Sequence, residues 1–139
     1  MSSVSIKHEE VRKLIGCKYK VHGRSIEEGF DCYGVGIEVY KIHGLYLPDV
    51  DYEKPEQYED VFLEQQNRVE YTKVEQPEEL TIIVFKVRGE PTHIGIYLGD
   101  GLFIHSTKNK GVLVEPLHRW ENRVEGYYVC KSKDNKESV

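Results

Sequence analysis

Three residues of this chain have types and surroundings suited to nucleophilic catalysis: Cys32, His93 and His105. A thiol attacks as its thiolate. It needs an imidazole within hydrogen-bond reach to take its proton, and that imidazole needs a partner to fix its ring and tautomer. Cys32 follows Asp31, a good helix N-cap, and Val35, Val39 and Ile42 recur behind it at helical spacing until Gly44 supplies a stop. Cys32 is therefore expected in the first turn of a helix, where unpaired N–H groups and the positive end of the macrodipole lower a thiol's pKa. Gly34 and Gly36 each cost such a helix about 1 kcal/mol relative to alanine, so something is expected to pack closely against their side. The competing reading of a single cysteine is a small buried hydrophobe, and Cys17 and Cys130 have no setting that favours anything else.

The two histidines fall in a hairpin, residues 92 to 107, that turns at Gly99-Asp100-Gly101. Loop length sets its register, and a slip of one residue exchanges the faces of one strand relative to the other. A two-residue loop pairs Gly99 with Leu102 and sends His93 and His105 to opposite faces. A three-residue loop with Gly101 in the left-handed position of a bulge pairs Leu98 with Leu102 instead. It gives one apolar face of Ile94, Ile96, Leu98, Leu102 and Ile104, with His93, Gly95, Tyr97, Phe103 and His105 on the other. The three-residue loop is preferred because it separates the faces by chemistry. His93 then lies diagonally across from His105, at about 7–8 Å between backbones, so the rings can touch. A Cys32 helix packed on this face would complete a Cys–His–His set. The alternative is two half-buried histidines with satisfied hydrogen bonds. His8, His22, His43 and His118 lack such a setting and read as surface or structural residues.

Around these residues the period changes from helical to alternating near Leu80, which predicts an α+β fold: N-terminal helices packed on an antiparallel sheet built from residues 80 to 130. A first helix is expected after a Ser5 cap, with Val11, Leu14 and Ile15 as its apolar face and Gly16 as its end. The strands begin with Leu80 to Val87, followed by a turn at residues 88 to 91. Residues 49 to 79 hold 11 acidic residues against Lys54, Arg68 and Lys73, a net of −8 where the whole chain is −5. They read as an acidic insertion outside the core, with a short helix from Pro55 through Tyr58, Val61, Phe62 and Gln65. The domain organisation is thus a single domain over residues 1 to 130 and a polar tail over 131 to 139.

Composition excludes several classes of function. A net charge of −5 leaves no electrostatic footprint for a phosphate backbone, so no nucleic-acid partner is expected. The longest apolar run is Ile82-Ile83-Val84-Phe85, and MSSVSIKHEEVRK does not resemble a signal peptide, so a chain made in the cytoplasm and no membrane partner are expected. Three distant cysteines make no disulfide framework, and the spacing of Cys32, His93 and His105 matches no structural zinc cluster, so neither metal nor cofactor is expected.

Three segments taken together, Phe30-Asp31-Cys32-Tyr33-Gly34, His93-Ile94-Gly95-Ile96-Tyr97-Leu98-Gly99 and Phe103-Ile104-His105-Ser106, resemble the NlpC/P60 family of papain-like cell-wall cysteine peptidases. The resemblance runs from about Leu14 to Tyr128, and the motifs come in family order. It implies that Cys32 is the nucleophile, His93 the general base and His105 the orienting third member. Tyr19, in Tyr19-Lys20-Val21-His22-Gly23, is similar to the tyrosine of the family's Tyr-x-x-Gly-Gly segment and would lie beside the nucleophile. Tyr19 and Asp31 are thus the substrate and oxyanion candidates, with the Cys32 N–H as one oxyanion donor. The implied activity is hydrolysis of peptidoglycan stem peptides through an acyl-enzyme.

The chain also departs from the family pattern. His22 stands for the first glycine of the Tyr-x-x-Gly-Gly segment, Tyr33 for the usual serine after the nucleophile, and Glu79-Leu80 for the Gly-Asp before the first strand. Tyr33, the Leu45-Tyr46-Leu47-Pro48 segment and the Trp120-to-Tyr127 ending look most similar to the phage-tail branch, which implies phage tail proteins as partners. Other readings of the same residues are an acyltransferase or amidase on this fold, a non-catalytic tail or wall-binding module, and, last, a zinc site.

Overall fold

Asp31 and the glycines behind it shape the N-terminal half. In the computed structural model, which describes residues 3–49, 71–86 and 93–130, helix α1 (Ser3–Arg12) is followed by a small hairpin, β1 (Arg24–Ser25) and β2 (Gly29–Phe30). Helix α2 (Cys32–Ile42) comes next, with Asp31 as its N-cap in extended conformation, accepting a hydrogen bond from the Gly34 N–H. Gly44, at φ +74°, lies just beyond the helix end. Helix α1 begins at Ser3, so Ser5 lies within it and not before it. Val11 and Leu14 are buried as expected, but Ile15 is 46% exposed.

The six later strands form one antiparallel sheet. β3 (Tyr71–Val74), β4 (Ile82–Phe85), β5 (His93–Gly99), β6 (Leu102–Thr107), β7 (Gly111–Pro116) and β8 (Val124–Cys130) lie in the order β3-β8-β4-β5-β6-β7. This is the expected α+β arrangement. Strand β3 was expected to belong to the acidic insertion outside the core. Instead it pairs with β8 at the sheet edge, and Tyr71 packs against the core. Its Tyr-Thr-Lys-Val composition favours a strand, and the excess acid lies mostly before it. The Pro55 helix, the turn at 88 to 91 and the polar tail fall outside the described residues. No described helix is long and apolar enough to cross a membrane.

The β5–β6 hairpin combines features of both registers considered from the sequence. Ile96 pairs with Ile104 and Tyr97 with Phe103, which keeps the expected faces, yet Gly99 pairs with Leu102. The turn is therefore a two-residue Asp100-Gly101 loop, both residues at positive φ (+54° and +79°), as a type I′ turn requires. The Gly101 N–H donates to the Tyr97 hydroxyl at 2.8 Å. A bulge at Leu98 absorbs the extra residue, so the loop length differs from expectation while the histidine face does not. Leu102, past the bulge, is 40% exposed and leaves the apolar face.

Each side of the sheet has its own core. Ile82, Val84, Ile94, Ile96, Ile104 and Val112 pack with Val35 and Val39 of α2 and with Leu14 and Leu47. On the other side Ile83, Phe85, Phe103 and Leu117 form a smaller aromatic cluster with Trp120, Tyr97 and Tyr127 against it. Helix α2 thus covers the isoleucine face and not, as expected, the histidine face. The reason is apolar area: the isoleucine face offers the continuous surface that the helix's valine stripe needs.

Close packing against the two helix glycines is present, but the neighbours differ in kind. A Cβ on Gly34 would meet the backbone oxygen of Gly23, whereas one on Gly36 would meet the tip of Ile96 at 3.3 Å. Alanine gains about 1 kcal/mol of helix propensity at either site, and overpacking costs about 1–3 kcal/mol. Gly34→Ala, facing fixed backbone, is therefore expected to be destabilised by up to about 2 kcal/mol net, while Gly36→Ala, facing a movable side chain, stays within about 0.5 kcal/mol of the parent. Urea unfolding midpoints of the two variants check this.

Candidate active site

Cys32 is the first residue of α2 and is buried. What fixes it is the fully buried Asp31 carboxylate. One oxygen accepts the Gly34 N–H at 2.8 Å and an Arg24 guanidinium N–H at 3.0 Å; the other accepts the His22 N–H at 2.8 Å. Arg24 is held in turn by Asp49, at 3.0 Å from Nη2. Asp31, considered from the sequence as a substrate or oxyanion residue, has its oxygens committed to this framework. His22 adopts φ +64°, the left-handed region where the family resemblance has glycine, and its N–H reaches Asp31 from that conformation.

The nucleophile loop is stitched to the sheet. Tyr19 is half-buried, and its backbone forms a parallel bridge with Phe30, two residues before Cys32. The Ser106 hydroxyl, buried on β6, donates to the Phe30 carbonyl at 2.7 Å. The chain neighbour of His105 therefore ties down the segment that leads into Cys32.

The histidines come together as expected. His93 Nε2 lies 2.7 Å from His105 Nδ1. His93 opens β5 and is half-buried; His105 is fully buried on β6. Trp120 stacks 6.4 Å from the His93 ring and meets the His105 ring edge-on at 5.2 Å, with Phe85 and Phe103 completing an aromatic wall. Beyond His105 comes a residue that sequence reading missed: Glu115 on β7, whose Oε2 is 2.6 Å from His105 Nε2. The signal was present in alternation, since inward Val112 and Val114 put Leu113 and Glu115 on the face that His105 shares. Two backbone N–H groups, of Ile94 and of Cys32 itself, lie against the thiol. Among the described residues no hydrogen bond joins it to either ring.

Electrostatics here differ from the sequence expectation. Burial pushes the Cys32 thiol up to about 12, and the Asp31 carboxylate adds to the rise; the two N–H groups and Arg24 oppose it without winning. Helix position alone predicts a lowered value, but desolvation of a fully enclosed sulfur outweighs the dipole. Burial also takes His93 down to about 3, with His105 contributing. His105 is lowered by burial against an opposing pull from Glu115. The resting groups at neutral pH are thus a neutral thiol and neutral imidazoles. Cys17, half-exposed, is raised by burial and by Glu27, and Cys130 is buried; all three cysteines are free. Among the described residues no group of three ligand side chains is placed to hold a metal ion.

The chain is 32% identical over 112 residues to a gamma-DL-glutamyl hydrolase of Bacillus subtilis, covering 76% of this chain and 24% of that protein. It is 25% identical over 111 residues to a murein DD-endopeptidase/LD-carboxypeptidase of Escherichia coli, covering 78% and 53%. The chain thus spans between about a quarter and a half of the curated relatives it matches. The fold is shared with the NlpC/p60 domain of the peptidoglycan hydrolase SagA, at TM-score 0.60 and 22% identity over 91% of this chain and 97% of that one. It is also shared with an NlpC/P60 protein from Bacillus cereus, at TM-score 0.63 and 24% identity over 89% and 39%. A match to the NlpC/P60 family model over residues 16–129, a span that takes in α2 and the sheet to the penultimate residue of β8, makes the chain a member of that family.

Proposed function

We propose that the protein hydrolyses an amide bond in peptidoglycan stem peptides through a Cys32 acyl-enzyme. The observation behind this reading is the hydrogen-bonded His93–His105 pair, whose His93 immediately precedes Ile94, the residue whose N–H lies against the Cys32 thiol at the start of α2. Family membership and the wall- and glutamyl-hydrolase names of the relatives favour the substrate class. His93 removes the thiol proton as sulfur attacks the carbonyl, and returns it to the leaving amine; water then releases the acyl group. His105 holds the His93 ring. The Cys32 N–H is one oxyanion donor, and Tyr19, whose backbone bridges Phe30, positions substrate.

Because the resting pair is neutral, proton transfer belongs to the reaction and not to the ground state. Alkylation of Cys32 by iodoacetamide is therefore expected to rise about tenfold per pH unit between pH 7 and 9, following the thiolate fraction of a thiol raised to about 12. A rate already flat from pH 5 to 8 would reveal a resident thiolate–imidazolium pair instead. Peptide mapping separates the sites: exposure favours Cys17, so faster labelling of Cys32 in the folded protein reports activation by its base.

Purified muropeptides with mass-spectrometric product identification test the activity. Cys32→Ser is expected to abolish cleavage, and His105→Ala to lower it about 10- to 100-fold. His105→Asn, still able to accept the ring N–H of His93, keeps part of the activity. Equal cleavage by Cys32→Ser ends the peptidase reading. Transfer of the acyl group to an added amine in place of hydrolysis favours the acyltransferase alternative, and wall binding without reaction favours a binding module.

We further propose a phage-tail setting, with the chain made in the cytoplasm and carried on the virion to the host wall. Two of the features that suggest it are joined, since the Tyr33 hydroxyl donates to the Pro48 carbonyl at 3.0 Å. Peptides of this chain are expected in purified virions by mass spectrometry, and their absence there refutes the tail assignment.

A further inference from the structure

A hydrogen bond between two neutral imidazoles can run in either direction. Nothing within the His93–His105 pair selects one, because each contributes one ring nitrogen at 2.7 Å. The choice decides the chemistry. If His93 donates from Nε2, its Nδ1 keeps a lone pair and can act as a base. If His93 accepts at Nε2, its proton sits on Nδ1, and the remaining nitrogen is a donor that cannot take a proton from a thiol.

Glu115 resolves the ambiguity. It lies on β7 opposite Phe103, a diagonal neighbour of His105 across the β6–β7 ladder. Its Oε2 is 2.6 Å from His105 Nε2, and a carboxylate accepts only. The His105 proton is therefore on Nε2. Burial keeps that ring neutral despite the carboxylate's opposing pull, so His105 Nδ1 is an acceptor and His93 Nε2–H points at it. The aromatic rings that pack against the two imidazoles among the described residues, Phe85, Phe103 and Trp120, carry no charge. We infer that Glu115 is a positioning residue that sets the direction of the whole chain, Glu115 ← His105 ← His93, and thereby leaves His93 Nδ1 as the basic nitrogen.

Removing the acceptor would reverse this order. A buried ring N–H without a partner is tolerated less well than an unpaired ring acceptor. In a Glu115→Leu protein the His105 proton is expected to move to Nδ1 and donate to His93 Nε2, driving the His93 proton onto Nδ1. The carboxylate has a second effect. When His93 takes the thiol proton, the positive charge lies one ring away from an anion that is only 21% exposed, which favours the imidazolium. The catalytic consequence rests on the Cys32 peptidase reading, but the tautomers do not.

Long-range proton–nitrogen NMR on the full chain with 15N-labelled histidine, at a pH where both rings are neutral, reads the tautomers directly. The wild type is expected to show both rings protonated on Nε2. Glu115→Gln, which can still accept through its amide oxygen, should keep that pattern, whereas Glu115→Leu should show His93 protonated on Nδ1. Muropeptide cleavage, in which His93 takes the thiol proton, should fall about 10- to 100-fold in the leucine variant and much less in the glutamine variant. A wild-type His93 carrying its proton on Nδ1, or a folded Glu115→Leu protein with unchanged tautomers, overturns the inference. If Glu115→Leu does not fold, the wild-type spectrum still decides. Tautomers that behave as expected in a protein that cleaves no muropeptide would refute the proposed function and leave the role of Glu115 standing.

Discussion

The structure depends on one buried carboxylate. Asp31 has no exposed surface, and an ionised group so placed is tolerable only if its oxygens are fully engaged. Two backbone N–H groups and a guanidinium engage them, and each belongs to a different piece of the site: the first turn of α2, the loop at His22, and the β1 strand at Arg24. The electrostatic need of one side chain thus gathers the segments that surround the nucleophile. Arg24, shared with Asp49, carries the constraint outward to the chain that leaves α2. The left-handed backbone at His22 follows from the same requirement, since its N–H has to turn inward to reach the carboxylate.

The histidine side is organised by the opposite principle. Here the walls are aromatic, and exclusion of water raises the stakes of every polar contact within. A row of three titratable side chains, His93, His105 and Glu115, crosses three adjacent strands at bonding distance. His93 is paired with Phe85 of β4 and His105 with Leu113 of β7, so strand ladders on both sides hold the row in its order. Ser106 couples this rigid side to the nucleophile loop through Phe30. Two different kinds of anchoring, one ionic and one built on strand geometry, therefore meet at the thiol.

Much of this is written in local patterns. Asp31 before Cys32 and Gly44 after Ile42 mark both ends of α2 because caps act within one turn, and alternation along β5 and β6 separates the faces because the strand period is two. What escaped is what depends on partners distant in the chain. The side of the sheet covered by α2 is decided by total apolar area, and the pairing of Tyr71–Val74 with β8 by a neighbour more than fifty residues away. Glu115 looks like an ordinary outward acid until β7 is set beside β6. The thiol's raised pKa was illegible for a similar reason: a helix start is visible in sequence, but the enclosure that desolvates it is assembled from several elements.

The bulge at Leu98 separates the tip of the β5–β6 hairpin from its base. From Tyr97 inward, pairing follows the isoleucines of the core; from Gly99 outward, it follows the turn. One extra residue is parked between two registers that obey different rules. A lineage of such proteins can gain or lose a residue at the hairpin tip and have the change taken up at this joint, while the histidines keep their shared face. At Asp100 side-chain chemistry is free to drift over evolutionary time, whereas Gly101 stays tied to Tyr97 and, through its carbonyl, to the Leu117 N–H that leads towards Trp120.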